Sequence, residues 1–524
     1  MNQRQTCGEA LVRLLERRGV DTVFGIPGVH TLELYRGLAA SSLRHILVRH
    51  EQGAGFMADG YARASGRVGV CFVITGPGVT NIATAMGQAY SESVPMLVIS
   101  TVRATDDLSQ RQGLLHEITD QLAVTAPLCA FAATALSPDD VPVLIDRAFA
   151  VFESARPRPV HIEIPLNVMV LPVEGDWQPA APVARPLADA DQLAAAAKLL
   201  SRTERPVIIV GGGVGDDGTD LVRLAEILGA PVITTIAAKG LIADDHPLSL
   251  SSTLPTPETQ ELLARSDVLL AVGTELAETD TWVDRLTLPE TLIRIDIDAE
   301  QIDTPYMATL GIIGDGATAL TELVKLLAGH NAGEPDAPVI EQAPEDDLRR
   351  SHRRVLDVMA ATLPDTAAIF TDMTQIAYSG NQIYPALRPR TWFHPSGFGT
   401  LGYALPAAIG ASLARPSDPV IALVGDYGFQ FTMPELMVAV ELELPVIIIL
   451  WNNDALGQIR DDMVDKGIGE VGVSQRNPDF RLLAQAYGVA YRQPHGGEEL
   501  AGCIKQALTT SGPSLIEVRH DYFS

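Results

Sequence analysis

Asp426 and Asn453 are the side chains around which a chemistry can be assembled. They close the two apolar runs of the stretch VIALVGDYGFQFTMPELMVAVELELPVIIILWNNDAL, Val420 to Leu456. The first run, Val420 to Val424, breaks at Gly425-Asp426, as a buried parallel strand does when it ends in a phosphate-binding or metal-binding turn. A helical segment with Leu436, Ala439 and Val440 at i, i+3 and i+4 leads to Leu444-Pro445, and a second run, Val446 to Leu450, ends in Asn452-Asn453. A strand, helix, strand unit crosses over right-handedly and brings the carboxyl ends of both strands to one edge of the sheet, where open α/β sheets bind ligands. A carboxylate and an amide oxygen meeting there, with waters and phosphate oxygens, form a hard-oxygen site suited to Mg²⁺. A Gly-Asp turn alone is an ordinary feature of such units; the Asn-Asn end makes the pairing specific.

This order of residues resembles the thiamine diphosphate (ThDP) enzymes, whose signature is a Gly-Asp-Gly turn, a helix and a strand ending in Asn-Asn. The resemblance implies that Gly425 forms the turn and that Asp426, Asn453 and the backbone carbonyl of Ala455 hold the Mg²⁺ that grips the cofactor diphosphate. One departure is visible: the third signature position is Tyr427, with Gly428 one step later. The segments RHEQGAGFMADGYARASG and TGPGVTN are similar to the pyrimidine-binding domain of the same family. Glu51 then falls on the glutamate that hydrogen-bonds N1′ of the aminopyrimidine and favours the imino tautomer, whose imine removes the thiazolium C2 proton. His116, in GLLHEITDQ, falls where related enzymes line the reacting carbon with an amide or a histidine, and is expected to relay protons and touch substrate. Val29 stands where some decarboxylases carry an acidic or hydroxyl residue, and His30 beside it is read as a bystander. Gln375 fits a diphosphate-contacting segment, although Thr374 and Ile376 depart from the pattern. In HPSGFGTLG, His394 to Gly402, the carbonyl of Gly399 matches the acceptor for the 4′-amino group and Leu401 the apolar wedge that bends the cofactor.

The elements that must position these residues alternate in the rhythm of α/β folds. Strand-like runs at Thr22 to Ile26, Ile46 to Val48, Val70 to Thr75 and Met96 to Ser100 are interleaved with helical segments, which predicts a mostly parallel sheet with helices on both faces. The same rhythm recurs at Pro206 to Val210, Val232 to Thr235, Val268 to Val272 and Ile293 to Ile297, and again from Ala368 onward. Three open parallel-sheet domains are expected: a pyrimidine-binding domain over 1–171, a middle domain over 187–335 and a diphosphate-binding domain over 348–524. A Pro- and Ala-rich linker at about Pro172 to Pro186 and an acidic one around His330 to Asp347 separate them. The turn GGGVGDDG after Val210 is a weak dinucleotide signal, without a ribose-binding acid at the expected distance. The family's middle domain holds FAD in some members and ADP in others; here it is read as empty.

At 524 residues the chain is long enough for about three domains. Lys+Arg 38 against Asp+Glu 65 gives a formal net charge of -27, which argues against nucleic acid or an anionic membrane as partner. The four cysteines show no metal-ligand or redox spacing. The N-terminus lacks the uninterrupted apolar core of a secretory signal, so a cytoplasmic location is expected. In GTELAETDTWVDR, Gly273 to Arg285, the loop carries Glu275, Glu278, Asp280 and Asp284. It is either a solvated acidic loop or a substrate site, in which Glu278 and Asp280 pair with a guanidinium. Family precedent places such a loop over an active site shared between chains, implying a homo-oligomer, a dimer at least and a tetramer by expectation. Within the family, FGIPGVHTLELYRGL and the Gly-Asp-Tyr-Gly turn resemble decarboxylases of 5-guanidino-2-oxopentanoate (2-ketoarginine), enzymes of arginine catabolism. The alternatives are an acetolactate synthase-like carboligase acting on pyruvate and, more remotely, a catalytically silent homologue.

Overall fold

Short apolar runs with no polar face form strands only where helices cover both sides of a sheet, and that condition builds this chain three times over. The computed structural model describes residues 5–330 and 345–523. Most of the expected acidic linker, and the expected domain ends at 1–4, 331–335 and 524, therefore lie outside the described residues.

The first sheet contains β1 (Thr22–Gly25), β2 (Arg44–Leu47), β3 (Gly69–Val73), β4 (Met96–Val102), β5 (Phe131–Thr134) and β6 (Val160–Pro165), all parallel, in the order β2-β1-β3-β4-β6-β5. The middle sheet contains β7 (Pro206–Val210), β8 (Val232–Thr234), β9 (Val268–Val272), β10 (Thr291–Asp296) and β11 (Leu310–Ile313), also parallel, in the order β8-β7-β9-β10-β11. The last contains β12 (Ala368–Thr371), β13 (Trp392–Phe393), β14 (Val420–Gly425), β15 (Val446–Asn452), β16 (Ala490–Arg492) and β17 (Ser514–Arg519), parallel and ordered β13-β12-β14-β15-β17-β16. Runs such as VLLAV in β9 and VIIILWN in β15 are buried at every position.

The outer two domains are joined through backbone contact. The helix Glu51–Ser65 crosses the helix Ala404–Ala414, and both are rich in Gly and Ala. A Cβ on Gly60 would lie 2.0 Å from the carbonyl oxygen of Ala407, and one on Gly410 would lie 1.9 Å from that of Met57. Only glycine permits this approach. One apolar cluster consequently runs from Phe24, Phe56 and Met57 of the first domain to Tyr403, Val424 and Leu450 of the last. The middle domain has apolar clusters of its own. It meets the others through polar contacts, among them Arg156 with Glu275 at 2.6 Å and the Ala386 N–H donated to Asp244 at 2.8 Å.

The single helix expected between Asp426 and Leu444 is interrupted. It runs Asp426–Thr432, tightens to a 3₁₀ turn at Met433–Glu435 and resumes at Leu436–Glu441. Pro434 is the cause, since it carries no N–H for the helical ladder. The break turns Glu435 inward.

Candidate active site

Two sheet edges carry the residues singled out from the sequence. At the carboxyl edge of the last sheet, β14 and β15 pair up to Gly425 opposite Trp451, so Asp426 and Asn452-Asn453 leave their strands side by side. Asp426 is buried, and its Oδ2 accepts from Asn477 at 2.7 Å and Gln475 at 3.1 Å, while Oδ1 accepts the Tyr427 N–H at 3.0 Å. Asn477 also donates to Asn452 and Asp454, drawing the two strand ends together. Asn453 donates to Gln375 at 3.2 Å, and its own Oδ1 faces the Ala455 N–H at 3.3 Å across Asp454, which has φ 55°. Gln375 donates to Asp461 at 2.8 Å.

Burial raises the pKa of Asp426, Asn477 and Gln475 oppose that shift by hydrogen bonding, and nearby Asp454 adds to it. Among the described residues no ion pair involves Asp426, so a buried carboxylate stands beside a second acid without a cation of its own. Carboxylate, amide oxygen and backbone carbonyl are hard donors, and the missing positive charge fits Mg²⁺. No cluster of three or more His, Cys, Asp or Glu side chains offers a competing metal site among the described residues.

Tyr427 leaves this geometry intact. It takes a helical conformation, and its ring lies against Phe431, centroids 5.3 Å apart. The position that requires glycine is 428, where a Cβ would lie 2.7 Å from Asp372 Oδ2. Asp372 is fully buried and accepts the Gly402 N–H at 2.9 and 3.0 Å, which fixes the turn carrying Gly399 and Leu401. Desolvation pushes its carboxyl up to about 7 against the N–H bonds from Met373, Gly402 and Tyr403. Gly399 has φ 66°, and Thr400 donates to Gln88 at 2.7 Å, tying the turn to the first domain.

At the carboxyl edge of the first sheet, Glu51 opens the helix after β2, is buried and accepts from Asn81 at 2.9 Å. Glu435 holds that helix start from the other domain. Its carboxylate accepts the N–H groups of Arg49 at 3.1 Å and His50 at 2.9 Å, and a Cβ on Gly53 would collide with it. Desolvation, with Glu51 adding a like charge, pushes Glu435 up to about 7. His116 lies in the loop after β4 with φ 64°, its carbonyl against Gly76 and its ring against His30. Glu435, Asp372 and Asn477 escaped the sequence reading; the one available signal was an acid in the otherwise apolar run FTMPELM.

The acidic loop divides. Asp284 and Glu278 are exposed, Asp280 is partly buried, and Glu275 is paired with Arg156 at 2.6 Å and Arg158 at 3.7 Å. Glu278 and Asp280 line a cavity of about 630 Å³ between the middle domain and the other two, which His394, Ser396 and Gly397 also line. The cavity thus reaches within two residues of Gly399 and four of Leu401. Desolvation, followed by Glu92 and Glu275, pushes Asp280 up to about 7, and among the described residues no ion pair involves it or Glu278.

Comparison with known proteins matches this layout. Residues 5–124 fit the thiamine pyrophosphate enzyme N-terminal TPP binding domain, 193–323 the central domain and 372–518 the C-terminal TPP binding domain. The chain is 52% identical, over 98% of its length and 94% of the relative, to a Pseudomonas aeruginosa protein named "Probable 2-ketoarginine decarboxylase AruI". It is 32% identical to "Probable acetolactate synthase large subunit" of Methanocaldococcus jannaschii, covering 97% of this chain and 91% of the relative. It is 31% identical to "Acetolactate synthase isozyme 1 large subunit" of Escherichia coli, covering 99% and 94%. With three domain models in sequence and full-length relatives of this identity, the chain belongs to the thiamine pyrophosphate enzymes.

Proposed function

We propose that this enzyme decarboxylates a 2-oxo acid with a cationic tail, 5-guanidino-2-oxopentanoate, to the aldehyde and CO₂, using ThDP and Mg²⁺. The observation that carries the reading is Asp280, an acid in no ion pair among the described residues, in a cavity that His394, Ser396 and Gly397 also line and whose other walls carry Arg63, Arg156, Arg158 and Arg390. A carboxylate crowded by Glu92 and Glu275 is stabilised by an incoming guanidinium, and Glu278 on the same wall offers a second acceptor. The name of the 52% relative supports the same substrate.

ThDP, when bound, supplies the electron sink that takes up the electrons released as CO₂ leaves. Asp426, Asn453 and the Ala455 carbonyl hold the metal in this reading, with Gln375 and Gly425 beside the diphosphate. Leu401 is the apolar support and the Gly399 carbonyl the acceptor for the aminopyrimidine. Glu51 holds the proton at N1′, and Glu435 fixes the backbone that aims it. His116 delivers the proton that replaces CO₂ in the product. The domain layout 1–171, 187–335 and 348–524 and a homo-oligomer, dimeric at least, belong to the same proposal.

The test is CO₂ release by the purified protein with ThDP and Mg²⁺ on 5-guanidino-2-oxopentanoate, pyruvate and benzoylformate. Preference for the guanidino acid is expected. Preference for pyruvate with acetolactate as product would replace this reading by the carboligase one, which the acetolactate synthase relatives favour.

A further inference from the structure

His30 follows β1, the strand that lies between β2, leading to Glu51, and β3, leading to Gly76. His116 returns over the same edge, with its carbonyl against Gly76. The two imidazoles meet edge to face, ring centroids 5.0 Å apart and planes at 71°. His30 is only 9% exposed, and the Nδ1 atoms of both rings are shielded from solvent without a hydrogen-bond partner.

Other buried histidines have at least one ring nitrogen bonded, although His352, with Nδ1 on Ser379 at 2.8 Å, leaves its Nε2 unpartnered. His161 has Nε2 on Ser100 at 2.8 Å and Nδ1 on Thr125 at 2.7 Å, and His394 has Nδ1 on Thr371 at 2.7 Å. Two orphaned ring nitrogens on touching rings are a cost that packing does not explain. Around His30 the charged and titratable neighbours are His116 and Arg103, which is itself bonded to Asp107 at 3.2 Å. Burial and these neighbours all disfavour a charge on His30.

We propose that His30 is a positioning residue for His116, its ring holding the His116 ring edge to face over the sheet edge from which the Glu51 helix starts. The aldehyde product has a C–H bond where the substrate had its C–CO₂⁻ bond, so one proton must be delivered per turnover. His116 donates it, His30 remains the neutral ring that orients His116, and the pair recovers the proton from water. The proposal rests on the reading of His116 given above.

The test is steady-state kinetics on the guanidino acid from pH 6 to pH 8.5 with His30→Asn, His30→Phe, His116→Asn and the double variant His30→Asn/His116→Asn, checked for unchanged ThDP affinity and thermal midpoint. His30→Asn is expected to lower kcat about 10- to 100-fold with KM within about threefold, and to move the apparent pKa of the kcat profile. The double variant is expected to lose no more than the weaker single one, because the rings act as a unit. His30→Phe, which keeps a flat ring but no nitrogen, is expected to lose as much as Asn. Rescue by Phe, losses that multiply in the double variant, or an unchanged His30→Asn beside an impaired His116→Asn would overturn the pair and leave the role of His116 standing. An unchanged His116→Asn would remove that role and the pair with it.

Discussion

Replacing Asp280 by Asn removes one negative charge from the cavity and keeps the side chain's size. A charge-assisted hydrogen bond contributes about 1.5–3 kcal/mol, so kcat/KM for 5-guanidino-2-oxopentanoate should fall about 10- to 100-fold. A neutral-tailed 2-oxo acid of the same length, such as 2-oxooctanoate, should change by less than about threefold, because only the guanidinium contact is lost. The wild-type enzyme carries a second signature. With Asp280 near 7, its ionised fraction drops from about 0.9 at pH 8 to about 0.1 at pH 6, so KM for the guanidino acid should rise up to about tenfold over that interval. The sign follows from the raised pKa: protonation neutralises the group as pH falls through about 7, and a cation binds less well. Asp280→Asn should abolish this dependence. The assay is initial-rate CO₂ release on both substrates across the range. Equal losses on both substrates, or selectivity retained by Asp280→Asn, would refute Asp280 as the guanidinium partner.

Glu435 and Asp372 both sit near 7, well above the usual carboxylate range, so their contribution to stability is full below their unfolded pKa and lost as pH rises through about 7. The thermal midpoint of the cofactor-free protein should therefore decline between about pH 5 and pH 7 and level off above it, at up to about 1.4 kcal/mol per group and pH unit, and less steeply in Glu435→Gln. Asp426→Asn should abolish the stabilisation that Mg²⁺ and ThDP together give in a thermal-shift measurement, while Tyr427→Gly should keep it, since the Tyr427 ring turns to Phe431. Gly410→Val forces a branched side chain against the Met57 carbonyl. It should cost about 3 kcal/mol or more in urea unfolding, whereas Gly469→Ala, with open space around it, should change little.

Much of the frame was legible because the central strands are short apolar runs, many of them bounded by Gly, Pro or Asn, whereas strands such as Arg44–Leu47 and Ala490–Arg492 are not apolar throughout. The pairing of Asp426 with Asn453 could be read because a strand, helix, strand unit has one hand and one ligand edge. The interruption at Pro434 was equally visible in the letters, although helical spacing on either side suggested one helix. Glu435 was not legible. Its partners Arg49 and His50 lie 386 and 385 positions away, and nothing local tells a buried bridging carboxylate from a surface one. The contact of His30 with His116 was not legible either, since it comes from a loop more than eighty residues on. In the acidic loop the sequence offered four equivalent carboxylates. The structure pairs Glu275 with Arg156, an arginine of another domain, and sets Asp280 apart from the exposed Glu278 and Asp284 by partial burial.

The interlocked helices Glu51–Ser65 and Ala404–Ala414 give the two cofactor-facing domains a common interior, so neither can be reshaped without disturbing the other. The middle domain has an interior of its own and meets its neighbours through mostly polar seams, with Ile236 and the backbone at Gly240 as its closest points of contact with the last domain. Because the loop bearing Glu278 and Asp280 grows from that independent unit, residues that discriminate among substrate tails can be exchanged while the machinery that activates the cofactor stays fixed. The architecture separates what must remain constant from what is free to diversify.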